Sequence, residues 1–327
     1  MNPFKKIFKV LVISCTSFLI GTTNANAAEE INFGIISVDS SNALRSAWQP
    51  FFDDMSKATG LTIKPFFATD YAGIIEGMRF NKVQVAWYGN KSAMEAVDRS
   101  NGEVFAKSIR IDGTEGYNSL LITNVDSPYK TLDDFYKHTK DINFGIGDPN
   151  STSGTLVPSY YIFAKNNINP KADFKTIRAA NHATNLLAVA NKQVDVATNN
   201  TEDWERMKAK SPEVLQKVRI LWTSPLIPAD PFVWRKDLSA DLKNKLKTFM
   251  LNYGKGANGT QEKENLKAIV MGGIVASTND QLIPIRQLSF YTDLLKAQND
   301  TNMDTAEKDK KVAEIQAKLK ELDKLAK

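Results

Sequence analysis

From Ile31 onward the chain alternates short apolar runs with amphipathic stretches. Ile31 to Ile36 reads as a buried strand, Asn42 to Ala58 as a helix, Leu61 to Phe67 as a strand, Gly73 to Phe80 as a helix and Val83 to Tyr88 as a strand. The pattern then returns. Ile31-Asn32-Phe33-Gly34-Ile35 recurs letter for letter as Ile142-Asn143-Phe144-Gly145-Ile146, 111 residues later, and the same offset carries Val83-Gln84-Val85-Ala86 onto Val194-Asp195-Val196-Ala197. Strand, helix, strand, helix, strand predicts a parallel sheet with helices on its faces. Two copies predict an α/β protein of two lobes, with a ligand site in the cleft at the carboxyl ends of the strands.

The segments between and after the copies set the domain organisation. Asp112 to Tyr117, rich in Gly and acids, leads into the apolar Ser119 to Ile122, a strand leaving the first lobe; Asp126-Ser127-Pro128 then breaks the chain before a helix starting near Thr131, supported by Asp133 and Asp134 in its first turn. The second copy runs from Asp141 to about Trp222. Ser224 to Pro231 holds three prolines in eight residues, too stiff for a helix, and is expected to be an extended return crossover. Helix patterns at Leu238 to Tyr253, Gln261 to Val270 and Asp280 to Ala297 are expected to pack back on lobe one. Lobe one is therefore 28–118 with 226–300, lobe two is 119–225, and two crossovers near Asn118 to Leu121 and Thr223 to Ile227 form a hinge. The tail 301–327 reads as a Lys/Glu-rich helix with Val312, Ile315, Leu319 and Leu322 at 3-4-3 spacing. That seam suits either a homodimer or packing on its own chain, and two heptads favour the latter.

The N-terminus changes how the charge is read. Lys5, Lys6 and Lys9, an apolar run from Val10 to Ile20 and Ala25-Asn26-Ala27 make a secretory signal over 1–27, cleaved after Ala27. Its removal takes three lysines and no acid, which lowers the formal net charge from +5 to +2. The basicity is partly an export signal and implies no nucleic-acid partner. Cys15, the only cysteine, lies inside that signal; a lipoprotein tether there is less consistent with the long apolar run than ordinary cleavage. The mature chain thus has no disulfide, no thiolate nucleophile and no Cys-based metal site, and a periplasmic location is expected.

Gly147-Asp148-Pro149-Asn150-Ser151-Thr152-Ser153-Gly154 stands directly after one strand and directly before a helix pattern ending near Asn166. Consecutive hydroxyls at a helix start present O–H donors, free backbone N–H groups and the positive dipole end to one point, where an oxyanion of phosphate type fits. An ordinary N-cap followed by solvent-facing hydroxyls would leave the same trace. The offset superposes Ser40 on Ser151 and Tyr71 on His182, placing hydrogen-bonding groups at matching corners of both lobes; His182 as a structural histidine, and Tyr71 and Tyr117 as half-buried packing, remain the alternatives. Trp87-Tyr88 is expected in the core. Glu202, just past the strand Val194 to Ala197, and Asp230, in the Pro-rich crossover, would repel a bare dianion, so if both face the site the ligand must also carry a cation, most economically an amino group.

At these residues the sequence resembles the periplasmic phosphonate-binding proteins of bacterial phosphonate importers. The matching stretches are Phe66 to Ile75, Met78 to Val83, Gly147 to Gly154, Ala190 to Glu202 and Ser224 to Asp230, within a likeness running from about Ile31 to Leu294. The resemblance implies a two-lobed, Venus-flytrap periplasmic-binding-protein fold of type II. It implies that Ser151, Thr152, Ser153, Tyr117 and His182 hold a phosphonate group, that Glu202 and Asp230 grip the ammonium of 2-aminoethylphosphonate, and that Tyr71 helps enclose it. The partners so implied are an organophosphonate and the membrane permease of an ABC importer. The family usually has Gly before the crossover aspartate, and here it is Ala229. Phosphite, phosphate and sulfonate are rival ligands, and a sensory module would share every binding feature. A phosphonate or phosphoester hydrolase would need a base-activated nucleophile or a metal, and the chain offers only His138 and His182, with no clustered Asp/His spacing and no cofactor motif.

Overall fold

A computed structural model describes residues 29–325. The signal segment 1–27, its cleavage site and Cys15 lie outside the described residues. The first lobe opens with β1 (Glu30–Ile35), α1 (Ser41–Thr59), β2 (Thr62–Phe67), α2 (Tyr71–Arg79), β3 (Val85–Trp87), α3 (Asn90–Arg99) and β4 (Gly102–Ile109). A two-residue strand β5 (Gly116–Tyr117) precedes the second lobe: β6 (Ser119–Asn124), α4 (Leu132–Lys137), β7 (Asn143–Ile146), a helix of wide turns, α5 (Pro170–Asp173), β8 (Thr176–Ala179), α6 (His182–Ala190), β9 (Val196–Asn200), α7 (Thr201–Lys210), α8 (Pro212–Leu215) and β10 (Val218–Thr223). The chain returns through β11 (Ile227–Pro228) to β12 (Pro231–Arg235), α9 (Ala240–Asn252), α10 (Gly259–Ala268) and β13 (Gly273–Ala276), then closes with α11 (Ile283–Asn299) and α12 (Thr305–Leu325).

The repeated pentapeptide is explained atom by atom. Phe33 and Phe144 are both fully buried and seed the two cores. Phe33 lies 5.2 Å from the Phe52 ring, and Phe144 stacks on Phe174 at 4.5 Å; burying each ring contributes roughly 1.5–3 kcal/mol. The following glycine lets a helix lie on the opposite face of the strand: a Cβ at Gly34 would sit 2.7 Å from Ile74, and one at Gly145 would sit 2.7 Å from Asn185. The backbone N–H groups of Asn32 and Asn143 donate to the side chains of Gln84 and Asp195 at 2.9 and 2.8 Å. Phe163, 111 residues after Phe52, lies 5.6 Å from the Phe144 ring. Ile74 with Asn185 and Gln84 with Asp195 keep the same offset, so the repeat is a repeat of contacts.

The sheets are mixed, not parallel throughout. Their orders are β13-β4-β12-β3-β1-β2 and β10-β6-β9-β7-β8. Only the repeated nuclei, β3-β1-β2 and β9-β7-β8, are parallel, and each is flanked by an antiparallel strand that arrives from the other lobe, β12 beside β3 and β6 beside β9. Strand β12 begins at Pro231, a position where a missing N–H is tolerated. The two crossovers are themselves paired, β5 with β11, Tyr117 opposite Ile227 and Gly116 opposite Pro228.

The helix expected over 151–166 is wound as π turns at Thr152–Leu156 and Ser159–Phe163, with Leu156 N–H donating five residues back to the Ser151 carbonyl. Pro158 between them has no N–H to give, and the wider turns step around it. In the tail, Ile315 and Leu319 pack on Ala297, Phe290 and Leu294 of α11, so the apolar seam is used within the chain.

Candidate functional site

The Ser151-Thr152-Ser153 trio is buried, not turned to bulk water. Each hydroxyl already accepts one hydrogen bond from the protein: Ser151 Oγ from Gly154 N–H (2.9 Å), Thr152 Oγ1 from Lys91 N–H (2.8 Å) and Ser153 Oγ from Asn200 Nδ2 (3.0 Å). With an acceptor site occupied on each oxygen, each proton is left to be given outward. The turn is held rigidly. Ser119 Oγ donates to the Ser153 carbonyl and Thr198 Oγ1 to that of Gly154, while Gly147 lies so close to Gly154 that a Cβ on it would be 2.5 Å from the Gly154 Cα.

Tyr71 and His182 open α2 and α6, capped by Asp70 and Asn181 respectively, and both are buried. The repeat thus brings these two side chains to one place. The Tyr71 phenol pKa, like that of Tyr117, is raised well above the usual value, first by burial, so both remain O–H donors. The His182 Nε2 lies 3.4 Å from Ser151 Oγ, and its Nδ1 has no partner. Burial brings its pKa down to about 4 against the pull of Asp203, so the ring is neutral at neutral pH. The other superposed pair divides: Ser40 caps α1 as Ser151 caps its helix, but Ser40 is exposed and stays out of the site. His138 is exposed beside Asp141, remote from this cluster.

The opposite side of the site is acidic. Glu202, in the first turn of α7, and Asp230, between β11 and β12, are buried at 8% and 4% exposure. Burial raises both carboxyl pKa values; Asp230 is lifted further by Glu202, while Arg206 and Arg110 draw Glu202 partly back. Tyr117 stands close enough to Asp230 to draw its pKa partly back, and Asn90 Nδ2 approaches Asp230 at 3.5 Å. Ala229, where glycine was expected, fits: its N–H donates to Glu115 and its carbonyl accepts from Gln281. The two ends of the site converge at Gly89, where a Cβ would be 3.4 Å from Thr152 Oγ1 and 3.8 Å from Asp230 Oδ1. Donors on one side and carboxylates on the other suit a short zwitterion.

The lobes meet across the site. Tyr71 N–H donates to Asp148 Oδ2 (3.1 Å), Lys91 Nζ to the Pro149 carbonyl (2.5 Å), and Lys210 pairs with Asp39 (2.9 Å). A separate cavity of about 450 Å³ lies along the same seam, lined by Trp48, Trp87 and Ile269 among others, but none of the eight expected site residues lines it. Trp87 and Tyr88 are core residues. Reasoning from sequence gave no role to Lys91, Asn90, Asp148 or Asn200. A signal existed for Asn200: the 111-residue offset carries Gly89, cap of α3, onto Asn200, cap of α7.

Comparison with known proteins places the chain in a family and a fold. Residues 33–282 match the family model described as the periplasmic phosphonate substrate-binding protein of ABC transporters. The chain is 51% identical over 310 residues to the phosphonates-binding periplasmic protein of Escherichia coli (strain K12), covering 94% of this chain and 90% of that one. Among solved structures, a binding-protein component of an ABC phosphonate transporter from Pseudomonas aeruginosa superposes with a TM-score of 0.89 at 50% identity, over 91% of this chain and 98% of that one. A Prochlorococcus marinus protein solved with methylphosphonate, 21% identical, shares the fold at a TM-score of 0.70 over 80% of this chain and 97% of that one. The fold is the two-lobed type II arrangement of periplasmic binding proteins.

Proposed function

The chain belongs to the family of periplasmic substrate-binding proteins of phosphonate ABC transporters, and from that premise we propose that its ligand is 2-aminoethylphosphonate. As a member it is a binding protein and not an enzyme: it captures phosphonate in the periplasm for an ABC importer. In this reading the phosphonate oxygens take the protons of Ser151, Thr152 and Ser153, with Tyr117 and neutral His182 beside them, Glu202 and Asp230 receive the ammonium, and Tyr71 closes over it.

The observation that carries the reading is the interacting, buried acid pair, with Asp230 across Gly89 from Thr152 of the hydroxyl trio. Phosphate or phosphite would bring negative charge against two carboxylates with nothing to offset them. Lobe one would comprise 28–118 with 226–300 and lobe two 119–225, rotating about the paired crossovers. Neutral donors suit reversible capture, because a surplus of fixed positive charge would slow release to the permease.

The test is calorimetry with 2-aminoethylphosphonate, methylphosphonate, phosphite and phosphate on the wild type, Glu202→Gln and Asp230→Asn. Losing one buried carboxylate partner costs an ammonium roughly 2–5 kcal/mol, so each variant should bind the aminophosphonate at least about 30-fold more weakly. Methylphosphonate should bind as before or better. Equal losses for both ligands, or phosphate as the tightest ligand of the wild type, overturn the assignment.

A further inference from the structure

The Asn200 side chain touches both halves of the site's machinery. It is the last residue of β9 and the N-cap of α7, and it is buried. Its Oδ1 accepts from Asp203 N–H at 2.7 Å, and its Nδ2 donates to Ser153 Oγ at 3.0 Å. Those two bonds fix which way the amide faces, since a flipped group would set its NH₂ against the Asp203 N–H, donor to donor. Ser153 therefore always meets a donor on this side. The capped helix is also the one that carries Glu202 in its first turn.

The matching position in lobe one is Gly89, which has no side chain and leaves Thr152 to accept from a backbone N–H, that of Lys91. A side-chain donor is therefore present in one copy of the repeat and absent from the other. Helix capping alone does not require an amide. Ser and Asp cap as well as Asn does. A capping Asp carboxylate has no donor for Ser153, and the shorter Ser carries a freely rotating hydroxyl in place of an amide whose direction the cap fixes.

We propose that Asn200 is a positioning residue for ligand capture: its amide obliges Ser153 to give its proton to the phosphonate, and the same amide holds the helix start that presents Glu202. This rests on the reading of Ser153 as a phosphonate ligand. It adds a residue that sets the polarity of that contact without needing to touch the ligand.

The decisive variant is Asn200→Asp, which preserves the shape and the cap oxygen but faces Ser153 with an acceptor. Ser153 then donates to the new carboxylate and turns a lone pair on the phosphonate. In calorimetry with methylphosphonate, which has no ammonium to complicate the result, Asn200→Asp should bind about a hundredfold more weakly, and Asn200→Ser about tenfold more weakly. Melting temperatures should stay within about 3 °C of wild type, because all three residues are good caps. Lowering the pH should restore part of the Asn200→Asp affinity relative to wild type, since a protonated carboxyl donates again, an effect a purely structural role would not produce. Ser153→Ala separates the two levels of the argument. If it binds methylphosphonate weakly while Asn200→Asp binds like wild type, the positioning role is wrong. If Ser153→Ala itself binds like wild type, the assignment of Ser153 falls and the positioning role with it. A weakening of Asn200→Asp that merely follows a large drop in melting temperature, with no recovery at low pH, also overturns the proposal.

Discussion

Two buried carboxyl groups close enough to couple give up their protons at a higher pH than free ones, unless something positive takes the proton's place. Burial raises Glu202 and Asp230, and each suffers from neighbouring negative charge. Taking up an ammonium therefore expels a proton below the raised pKa values. Affinity for 2-aminoethylphosphonate should climb with pH across that range more steeply than affinity for methylphosphonate, which titrates only through its own phosphonate. Calorimetry in buffers of different ionisation enthalpy counts the proton; an identical pH slope for both ligands would contradict the exchange. The sign for stability is opposite. The ligand-free fold binds more protons than the unfolded chain between the ordinary carboxylate range and the raised values, so this pair's contribution to stability declines as pH rises there. His182 works the other way: held down to about 4 against an ordinary value near 6.5, it adds stability as pH rises from about 4 to about 6.5. Urea midpoints of wild type and of the Glu202→Gln/Asp230→Asn double variant should converge at low pH and separate, with the double variant higher, as pH increases.

Among the elements, the wide-turned helix after β7 is the most demanding. A Cβ at Gly154 would lie 2.8 Å from the Gly147 Cα, 2.9 Å from Ser151 Oγ and 3.1 Å from the His182 ring. Gly154→Ala should therefore displace the capping serine, cost about 1–3 kcal/mol of stability and abolish phosphonate binding, measured by melting temperature and titration side by side; wild-type binding would show that the turn yields. The hydroxyl cluster at that helix start was visible in the sequence, as was the pentapeptide repeat, because both depend on local residue choice; the close approach of Gly147 to Gly154 was not. The strands β4, β12 and β13 were not. β12 starts at Pro231 and β4 alternates only loosely, and both are strands because neighbours from distant parts of the chain pair with them. The π turns also escaped, since apolar spacing cannot tell a wide turn from an α turn around Pro158. At the site, hydroxyls, acids and the Tyr71 to His182 correspondence were legible, whereas Lys91 acts through its backbone N–H, which no side-chain pattern encodes.

For the whole molecule the question is what holds two lobes together and what lets them part. The Lys210 to Asp39 pair spans the seam at 2.9 Å, with side chains 54% and 13% exposed. Solvent screening keeps such a pair below about 1 kcal/mol. Lys210→Ala should accordingly speed ligand release by no more than about fivefold, with the difference vanishing in high salt; stopped-flow release rates check this, and a salt-independent effect would point to packing instead. The pairing of β5 with β11 has a mechanical result of its own. Tyr117 stands in that two-stranded seam, opposite Ile227, so a force applied there acts on the axle and has almost no lever arm. If Tyr117 holds the ligand as proposed, a contact on the axle changes little as the lobes rotate, and a contact equal in two arrangements moves no equilibrium. The torque that swings the jaws must come from contacts that bridge the lobes away from that seam, such as Tyr71 N–H on Asp148 and the Lys91 N–H and Nζ on Thr152 and Pro149.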